Sequence, residues 1–498
     1  MNQPIVSLQE SHELQGCVLA YGHFTTIHPG HIRYLRHARG LGKELVVALI
    51  GDGPPGSPAP FPFNSEERAE ALALLGIANK IVMLQGEEFG EAIKTLKPSV
   101  VVLGTELQGA PKLQEPLALL KSQGGSVQFH AGETTYASAD LLTNTGGELR
   151  QQRRQQFAAA CKRQGLSQRQ LLDSMESWKG TRLIVLGDTI VDQYAACEAI
   201  GMSAEAPVVV VRELAKRNFI GAAAVVAAHI KALGASVDLV SVVGEDSTAG
   251  LVKKELKEQG IGDSLVKDPS RPTTFKKRYV VENQKLFRVS RLEQHNLDRD
   301  IEDEVISRIE ELAPRADGIV LSDFVYGVVT PKVLETVHAL AKKHGLLLFG
   351  DVQCSSQVGS ITKFNGFTLL CPNERELRLA MQDKDSGLES LSQQLITKTQ
   401  CERLLVKLAA EGFIAYDRDS NGRLVSQPFP ALSVNPLDVA GAGDSVLAVM
   451  ATGLASRQAM MSTAALASCM AALTVETMGN TPVSAATLQL SLQEVLAL

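Results

Sequence analysis

The sequence is poor in the features that mark disulfide-stabilised, zinc-binding, membrane-spanning or nucleic-acid-binding proteins. Its 498 residues include only seven cysteines and one tryptophan. The cysteines are scattered, odd in number and without a Cys-x-x-Cys pair, so they predict neither a disulfide framework nor a zinc site. This pattern favours a reducing cytoplasm. No apolar run approaches a membrane span, and residues 1–15 lack the basic start and apolar core of a signal peptide. With a formal net charge of −6, we expect a cytoplasmic protein without nucleic-acid or membrane partners.

The remaining composition is that of an ordinary globular protein. Apolar residues make up 45% and charged residues 21%, and the length predicts two or three domains. Strand-like apolar runs alternate with helical patterns, which favours an α/β fold with parallel sheets. Residues 146–166, rich in Gln and Arg, are typical of a solvated helical linker. We therefore predict a first domain over 1–145 and a second over 167–498.

The most specific motif is the run Asp-Val-Ala-Gly-Ala-Gly-Asp-Ser at 438–445. An apolar run of helical length follows, so two glycines stand where a helix begins. Glycine lets backbone amides approach a ligand closely, and the first amides of a helix have no internal partners and lie at its positive end. The motif therefore predicts an anion site, where Asp444 takes a proton from an attacking hydroxyl. Helix capping alone is the alternative interpretation.

This run resembles the signature of the ribokinase-like carbohydrate kinases. The resemblance implies that Asp444 is the general base and that the amides of Gly441, Ala442 and Gly443 hold the γ-phosphoryl charge. It places Asp438 among the nucleotide-binding residues. It also implies a doubly wound α/β domain with a small β lid, ATP and Mg²⁺ as cofactors, and a homodimer formed through the lid.

Residues that bind the sugar are predicted upstream of this motif. A strand at 182–187 leads into Gly-Asp, and Asp192 follows, which places carboxylates at the carboxyl edge of a sheet, where ligands bind in open α/β sheets. The run Ser-Ala-Glu-Ala-Pro at 203–207 resembles the heptose-phosphate kinases. That resemblance assigns Asp192 and Gly221 to the sugar. A turn aspartate is the alternative for the carboxylates.

Three segments predict the lid: 208–211, and the alternating polar and apolar residues at 273–281 and 285–292. Lys276, Arg278 and Arg288 fall within these segments, at basic positions of the same family. The resemblance implies that they bind a phosphate group of the substrate, so we expect a sugar phosphate as the substrate. Solvated strand charges are the alternative.

The ATP side of the second domain is predicted from two further segments. Asn373 and Glu376 match the family's Asn-x-x-Glu motif, whose carboxylate helps to hold Mg²⁺ through water near the ATP phosphates. Magnesium suits such a site because it keeps much of its hydration shell. Lys407 ends the strand before the nucleotide loop, and Gly412 lies in that loop. The family has Thr at the position of Lys407, so this lysine either contacts phosphate or points into solvent.

The first domain carries its own motif after an apolar strand at 16–21. His28 and His31 flank Pro-Gly where a helical pattern begins, so both imidazoles could donate hydrogen bonds to phosphate oxygens. The spacing resembles the His-x-Gly-His signature of nucleotidyltransferases that attack the α-phosphate of a nucleoside triphosphate. The same resemblance assigns Phe24 and Arg68 to the nucleotide. Structural histidines are the alternative.

Several positions depart from these families. Thr25 stands where the nucleotidyltransferases have an aspartate, the run at 103–106 lacks their lysine, and the run at 53–60 contains no Lys or Arg. In the second domain, Val225 replaces an asparagine that usually contacts the sugar. The substrate is therefore expected to differ from the family's standard one, or the first domain is impaired.

Together the two motifs resemble the bifunctional heptose-phosphate kinase/adenylyltransferases of the ADP-heptose pathway, which have the opposite domain order. We predict a sugar-phosphate kinase joined to a sugar-1-phosphate nucleotidyltransferase that uses ATP or CTP. In the alternative, the first domain is a non-catalytic module that binds nucleotide or sugar phosphate and regulates the kinase.

Overall fold

The computed structural model describes residues 4–25, 27, 29–52, 63–84, 88–104, 107–108, 110–129, 146–282, 284–353 and 359–497. Predictions that concern His28 and the runs at 53–60 and 105–106 therefore lie outside the described residues. The chain divides into two compact units: the first contains 1–137, 377–397 and 416–426, and the second contains the remaining residues. The domain boundaries drawn from the sequence stay a prediction.

The first unit is built around a six-stranded parallel sheet. Its strands are β1 (Ile5–Ser7), β2 (Val18–Gly22), β3 (Leu45–Leu49), β4 (Lys80–Met83), β5 (Val100–Val102) and β6 (Ser126–Gln128), and its helices are α1 (Pro29–Gly40), α2 (Ser65–Leu74), α3 (Phe89–Leu96) and α4 (Gln114–Ser122). The order is β1-β4-β3-β2-β5-β6. The order reverses at β2, which pairs with β3 on one side and β5 on the other. Ligands of doubly wound sheets bind at the carboxyl ends of strands beside such a point.

The two faces of this sheet are both covered, which explains why its strands are continuous apolar runs. Leu19 and Tyr21 pack with Phe89 in one buried cluster, whereas Val18 and Ala20 belong to a second cluster. Successive side chains of a strand point to opposite faces, so β2 contributes to both clusters and is fixed from both sides.

The predicted linker is a helix, α5 (Gly146–Arg163), but the prediction that it is solvated was wrong. Phe157 is fully buried and Cys161 nearly so. Arg153 is buried as well, and its guanidinium donates to the backbone oxygens of Ser433 at 2.6 Å and Ala410 at 3.0 Å. The few apolar residues recur at helical spacing and form one buried stripe, a pattern that overall composition conceals.

The second unit contains most of a nine-stranded sheet. Its strands are β7 (Arg182–Gly187), β10 (Ser236–Val243), β11 (Gly262–Lys267), β14 (Gly318–Asp323), β15 (Leu347–Val352), β16 (Leu369–Leu370), β17 (Arg403–Lys407), β18 (Phe413–Arg418) and β19 (Leu424–Phe429). The order is β11-β10-β7-β14-β15-β16-β17-β18-β19. The strands from β11 through β17 pair in parallel, so their carboxyl ends meet at one edge.

The helices described after α5 are α6 (Gln168–Glu176), α7 (Ala223–Ala232), α8 (Ser247–Gln259), α9 (Arg299–Leu312), α10 (Pro331–His344), α11 (Glu374–Met381), α12 (Leu388–Thr399), α13 (Ala442–Ala455), α14 (Met460–Val475) and α15 (Ala485–Leu496). The side chains of α13 are buried from Asp444 to its end. Across the described ranges, we find no helix with both the length and the apolarity that a bilayer crossing requires.

A separate four-stranded sheet, the lid sheet, consists of β8 (Thr189–Met202), β9 (Val209–Ala222), β12 (Thr274–Val281) and β13 (Gln284–Arg291). Its order is β13-β12-β8-β9, with β12 and β8 parallel and the other pairs antiparallel. The predicted lid strands are confirmed. No sequence pattern predicted β8 (Thr189–Met202), which follows β7 after a single residue.

Candidate active sites

The glycine-rich run forms a tight entry into α13. Gly441 is the N-cap residue and adopts φ +80°, a left-handed conformation that favours glycine. A Cβ added there would also lie 2.5 Å from Asn480 Oδ1. The first amides of the helix, on Ala442, Gly443 and Asp444, have no acceptor within the helix. This backbone geometry is the one that the predicted anion site requires.

Asp444 lies in the first turn of α13 and is buried. Its Oδ1 has no hydrogen-bond partner among the described residues. Burial, together with the nearby charge of Asp351, raises the pKa of this carboxyl to about 8, although Lys407 opposes the shift. A buried carboxyl with one oxygen that no described residue satisfies, at the positive end of a helix, fits a base that completes its contacts with substrate.

Lys407 lies behind this loop rather than in solvent. Its Nζ is 2.6 Å from Asp351 Oδ2, and Gln353 Nε2 donates to the same oxygen at 3.2 Å. A Cβ added at Gly443 would lie 3.2 Å from Lys407 Nζ. The lysine side chain is 13% exposed, and although burial favours the neutral amine, Asp351 holds its pKa above the usual value. A permanent cation therefore stands against the anion loop.

Asp438 was predicted to bind nucleotide, but its carboxylate is occupied within the protein. Oδ1 accepts from Lys285 Nζ at 2.6 Å and from the Ala440 amide at 3.0 Å. Oδ2 accepts from the Tyr194 hydroxyl at 2.6 Å and the Gly479 amide at 3.1 Å. Burial would raise its pKa, yet these donors, led by Lys285, hold it below the usual value. We correct its role to holding the lid sheet against the anion loop.

The predicted sugar-binding carboxylate, Asp192, lies buried on β8. Arg278 of β12 donates to its Oδ1, and Asn480 Nδ2 donates to its Oδ2 at 3.2 Å. Gly221 lies close by, since a Cβ added there would stand 2.7 Å from Asp192 Oδ2. The structure thus brings the predicted sugar residues together. It also shows that Arg278 forms an ion pair with Asp192.

Lys276 differs from its neighbours because its charge is not neutralised within the described part of the chain. The side chain is 3% exposed, and no hydrogen bond or ion pair there reaches its ammonium. Nζ lies 5.3 Å from the ring centroids of both Phe324 and Tyr326, which is a cation–π arrangement. A buried ammonium without a carboxylate partner is costly, so this position suits a ligand anion.

Arg288 lies on β13, whose side chains are all exposed, directly across from Arg278. Its substrate role stays a prediction. Gly412 adopts φ +96°, and a Cβ there would lie 2.1 Å from the backbone oxygen of Phe429. Backbone packing therefore requires glycine at 412, whatever its part in nucleotide binding.

The Asn-x-x-Glu motif forms a capping box at the start of α11. The Asn373 amide donates to Glu376 Oε2 at 2.8 Å, and the Glu376 amide donates to Asn373 Oδ1 at 2.9 Å. The described residues contain no group of His, Cys, Asp and Glu side chains that could hold a metal ion directly. With one oxygen of Glu376 engaged in the cap, these residues fit an Mg²⁺ ion held mainly by water and nucleotide phosphates.

The first unit's candidate site lies at the carboxyl end of β2. Phe24 is buried with φ +49°, and its ring centroid is 5.1 Å from that of His31. His31 stands in the first turn of α1, where backbone amides and the helix dipole favour an anion. Its predicted partner His28 lies outside the described residues.

Arg68 was predicted to bind nucleotide, but it holds loops of the first unit together. It is 2% exposed, and its guanidinium donates to Asp52 Oδ1 at 2.6 Å, to the Ile50 oxygen at 3.0 Å, to the Phe63 oxygen at 3.2 Å and to the His23 oxygen. We correct its role to positioning these loops, because its N–H groups are used inside the protein.

Two residues of the kinase-like site were missed from the sequence. Asn480 bridges Asp192 to the anion loop, and Tyr194 joins Asp438 to the lid sheet. A single buried Asn or Tyr carries no motif, so only the fold reveals these partners.

Comparison with known proteins supports both halves. Residues 181–486 match the model of the pfkB family carbohydrate kinases, and residues 19–138 match the cytidylyltransferase-like model. A bifunctional protein HldE from Trichlorobacter lovleyi is 31% identical over 324 residues, which cover 64% of each chain. The HldE protein of a Bradyrhizobium species is 33% identical over 62% of each chain. The chain thus spans less than two thirds of these relatives' length.

Among solved structures, phosphofructokinase-2 from Escherichia coli in complex with substrates and products aligns with a TM-score of 0.52. Sequence identity is 17%, over 63% of this chain and 99% of that one, so the likeness shows the fold alone. These matches confirm the predicted resemblance, the predicted fold of both parts, and the order with the nucleotidyltransferase-like part first.

Proposed function

The chain belongs to the pfkB family of carbohydrate kinases, and from that membership we propose that its second unit phosphorylates a sugar phosphate with ATP. The observation that carries this proposal is the buried carboxylate of Asp444, which has an unpartnered oxygen in the first turn of α13, beside the glycine-rich loop. Such a group costs stability in the free protein, and the cost is offset when a donor hydroxyl arrives.

In the proposed reaction, the acceptor hydroxyl attacks the γ-phosphorus of ATP while Asp444 removes its proton. The bond between the γ-phosphorus and the leaving oxygen breaks, and ADP departs. Amides of Gly441, Ala442 and Gly443 hold the charge on the transferred group, with Lys407 behind them. Mg²⁺, reached by Glu376 through water, would neutralise phosphate charge.

A phosphorylated acceptor is favoured over a free sugar because of Lys276. Its ammonium is buried near the rings of Phe324 and Tyr326 and lacks a counter-ion among the described residues. It is close enough to Asp444 to lower that residue's pKa. An acceptor held by Asp192 would therefore place an anionic substituent against Lys276.

The test is turnover with ATP on a panel of free sugars and their phosphates, in the parent and in Lys276→Met. Lys277→Met is the matched control, since the neighbouring ammonium lies on the other face of β12 and pairs with Glu213 at 2.5 Å. We expect the parent to prefer sugar phosphates. Lys276→Met should lower kcat/KM for the phosphate roughly ten- to a hundredfold, the scale of a lost charged hydrogen bond, with little change for the free sugar. Equal efficiency of the parent on a sugar and its phosphate would contradict the proposal.

For the first unit we propose nucleotidyl transfer from ATP or CTP to a sugar-1-phosphate, in nucleotide-activated heptose synthesis. His31 at the start of α1 supports this, and His28 is its predicted partner. Arg68 does not supply charge to the triphosphate, because its donors are engaged. We therefore expect weak nucleotide binding together with an intact reaction.

The alternative is a regulatory module without catalysis, and pyrophosphate release distinguishes the two. The parent at high ATP or CTP, with a panel of sugar-1-phosphates, should release pyrophosphate, and His28→Ala/His31→Ala should not. Asp444→Asn should retain this release, because it affects only the kinase. If the parent releases none while nucleotide still alters its kinase kinetics, the regulatory interpretation replaces this proposal.

A homodimer through the lid sheet is the third part of the proposal. The large apolar side chains of this sheet that are exposed are Ile200, Met202, Val209, Val210, Leu214, Leu286, Phe287 and Val289. Exposed apolar side chains in this number on one sheet suit contact with a second copy of the chain. Val209→Asp should produce monomers in light scattering after gel filtration, whereas Leu490→Asp, at an exposed leucine of α15, should not. A monomeric parent would refute this part.

A further inference from the structure

Asn480 is a buried side chain, between α14 and α15, to which the proposed reaction has so far given no role. It is 6% exposed. Its Nδ2 donates to Asp192 Oδ2 and to the backbone oxygen of Ile220, both at 3.2 Å. Its Oδ1 faces the anion loop, since a Cβ added at Gly441 would lie 2.5 Å from it. One amide thus joins the predicted sugar carboxylate to the loop that holds the transferred phosphate.

The orientation of this amide is fixed by its partners. The NH₂ group has two hydrogens, and each meets an acceptor, one a carboxylate and the other a carbonyl. Rotating the amide by half a turn would set its oxygen against both acceptors. The oxygen must therefore stay on the side of Gly441, where no described residue donates to it.

Two donors share the carboxylate of Asp192. Arg278 donates to one oxygen and Asn480 to the other. Arg278 belongs to the lid sheet, as Asp192 does, whereas Asn480 comes from the segment that follows α14. Among the described side chains that donate to Asp192, Asn480 is therefore the one that ties this carboxylate to the core of the second unit and to Gly441.

We propose that Asn480 is a positioning residue that orients Asp192 toward the acceptor's hydroxyl groups and aligns the acceptor with the anion loop. The inference rests on the proposed kinase function. Its consequence is selective: losing Asn480 impairs acceptor binding and alignment, while ATP, held by the loop amides and Lys407, binds as before.

The test compares Asn480→Asp with Asn218→Asp on the full chain. Aspartate keeps the shape of Asn480, removes its donors and places a second carboxylate 3.2 Å from Asp192. Asn218 is an exposed residue of β9 whose Oδ1 accepts from Gln193 Nε2 at 2.8 Å, so its replacement makes the same chemical change away from the site. Asn480→Ser, which is neutral and keeps a hydroxyl donor, is a second variant that still tests the inference if Asn480→Asp does not fold.

We expect Asn480→Asp to raise the acceptor KM by about tenfold or more, the scale of a lost hydrogen bond to a charged group, with the ATP KM within about twofold of the parent. Asn480→Ser should lie between. An acceptor KM no higher than that of Asn218→Asp, or equal increases in both KM values, would overturn the inference while leaving the kinase assignment intact. A parent that phosphorylates no acceptor would overturn the proposed function, and this inference with it.

Discussion

Replacing Asp444 with asparagine should strongly lower turnover and stabilise the protein at the same time. The substitution is nearly isosteric and leaves the backbone amides of the α13 N-terminus in place. Loss of a general base lowers turnover by roughly a hundredfold or more. The ATP KM should stay within about threefold, because binding rests on the loop amides and Lys407 rather than on this carboxylate.

The gain in stability follows from the position of the carboxyl. Burial, with Asp351 nearby, raises the pKa of Asp444 to about 8, whereas an exposed aspartate titrates near 4. Ionising Asp444 in the folded protein therefore costs on the order of 5 kcal/mol. The folded state holds this proton more tightly than the unfolded chain, so the penalty is absent below about pH 4, grows as the pH rises, and is complete above about pH 8. Asparagine never incurs it.

The assay pairs kinetics with melting temperatures across this pH range. The variant should melt above the parent by an amount that increases from pH 5 to pH 8, at about 2–4 °C for each 1 kcal/mol in a protein of this type. In the parent, kcat/KM should increase with pH as Asp444 loses its proton. Comparable turnover in variant and parent would refute the assignment as base. Lost turnover without a pH-dependent gain in melting temperature would refute the claim that burial raises the pKa of Asp444.

Three further substitutions follow from the same contacts. Lys407→Met leaves Asp351 buried without its cation and removes a charge that lowers the Asp444 pKa. We therefore expect kcat to fall at least about tenfold and the pH profile of kcat to shift to higher pH. An unshifted profile would contradict this, and Lys407→Arg is the conservative control. Gly441→Ala should lower the free energy of unfolding by about 1–3 kcal/mol, measured by chemical denaturation, because alanine is strained in this backbone conformation. It should also lower turnover, because the added Cβ would contact Asn480. Gly422→Ala, at φ +76° with open space around it, should show only the stability loss, and equal turnover losses in both variants would argue against a specific loop geometry. Arg68→Met should destabilise the first unit by about 3 kcal/mol in thermal unfolding, since the loop oxygens of Ile50 and Phe63 lose their buried donor. The exposed Arg36→Met should not, and equal melting of both variants would refute the positioning role of Arg68.

The anion loop could be predicted from the sequence because its parts are contiguous. Two glycines and Asp444 fall within one short run, and their chemistry follows from where a helix begins. The parallel sheets were likewise predictable from local apolar runs. The same locality placed Asn373 and Glu376, although their mutual cap emerged only from the structure.

The partners that tune the site could not be predicted, because the chain brings them from far away. Asn480 meets Asp192 across 288 positions, and Lys407 meets Asp351 across 56. Charge alone also misled the assignment of Arg68. A basic residue beside a nucleotide motif suggests phosphate binding, yet here the fold uses its donors to hold loop carbonyls and Asp52.

Phosphorus NMR of the full chain with ATP and a sugar phosphate tests the central claim most directly. The account predicts a new phosphomonoester signal that appears in step with ADP, one for one, and that is lost in Asp444→Asn. Release of ADP with inorganic phosphate alone, or no reaction with any sugar phosphate of the panel, would contradict it.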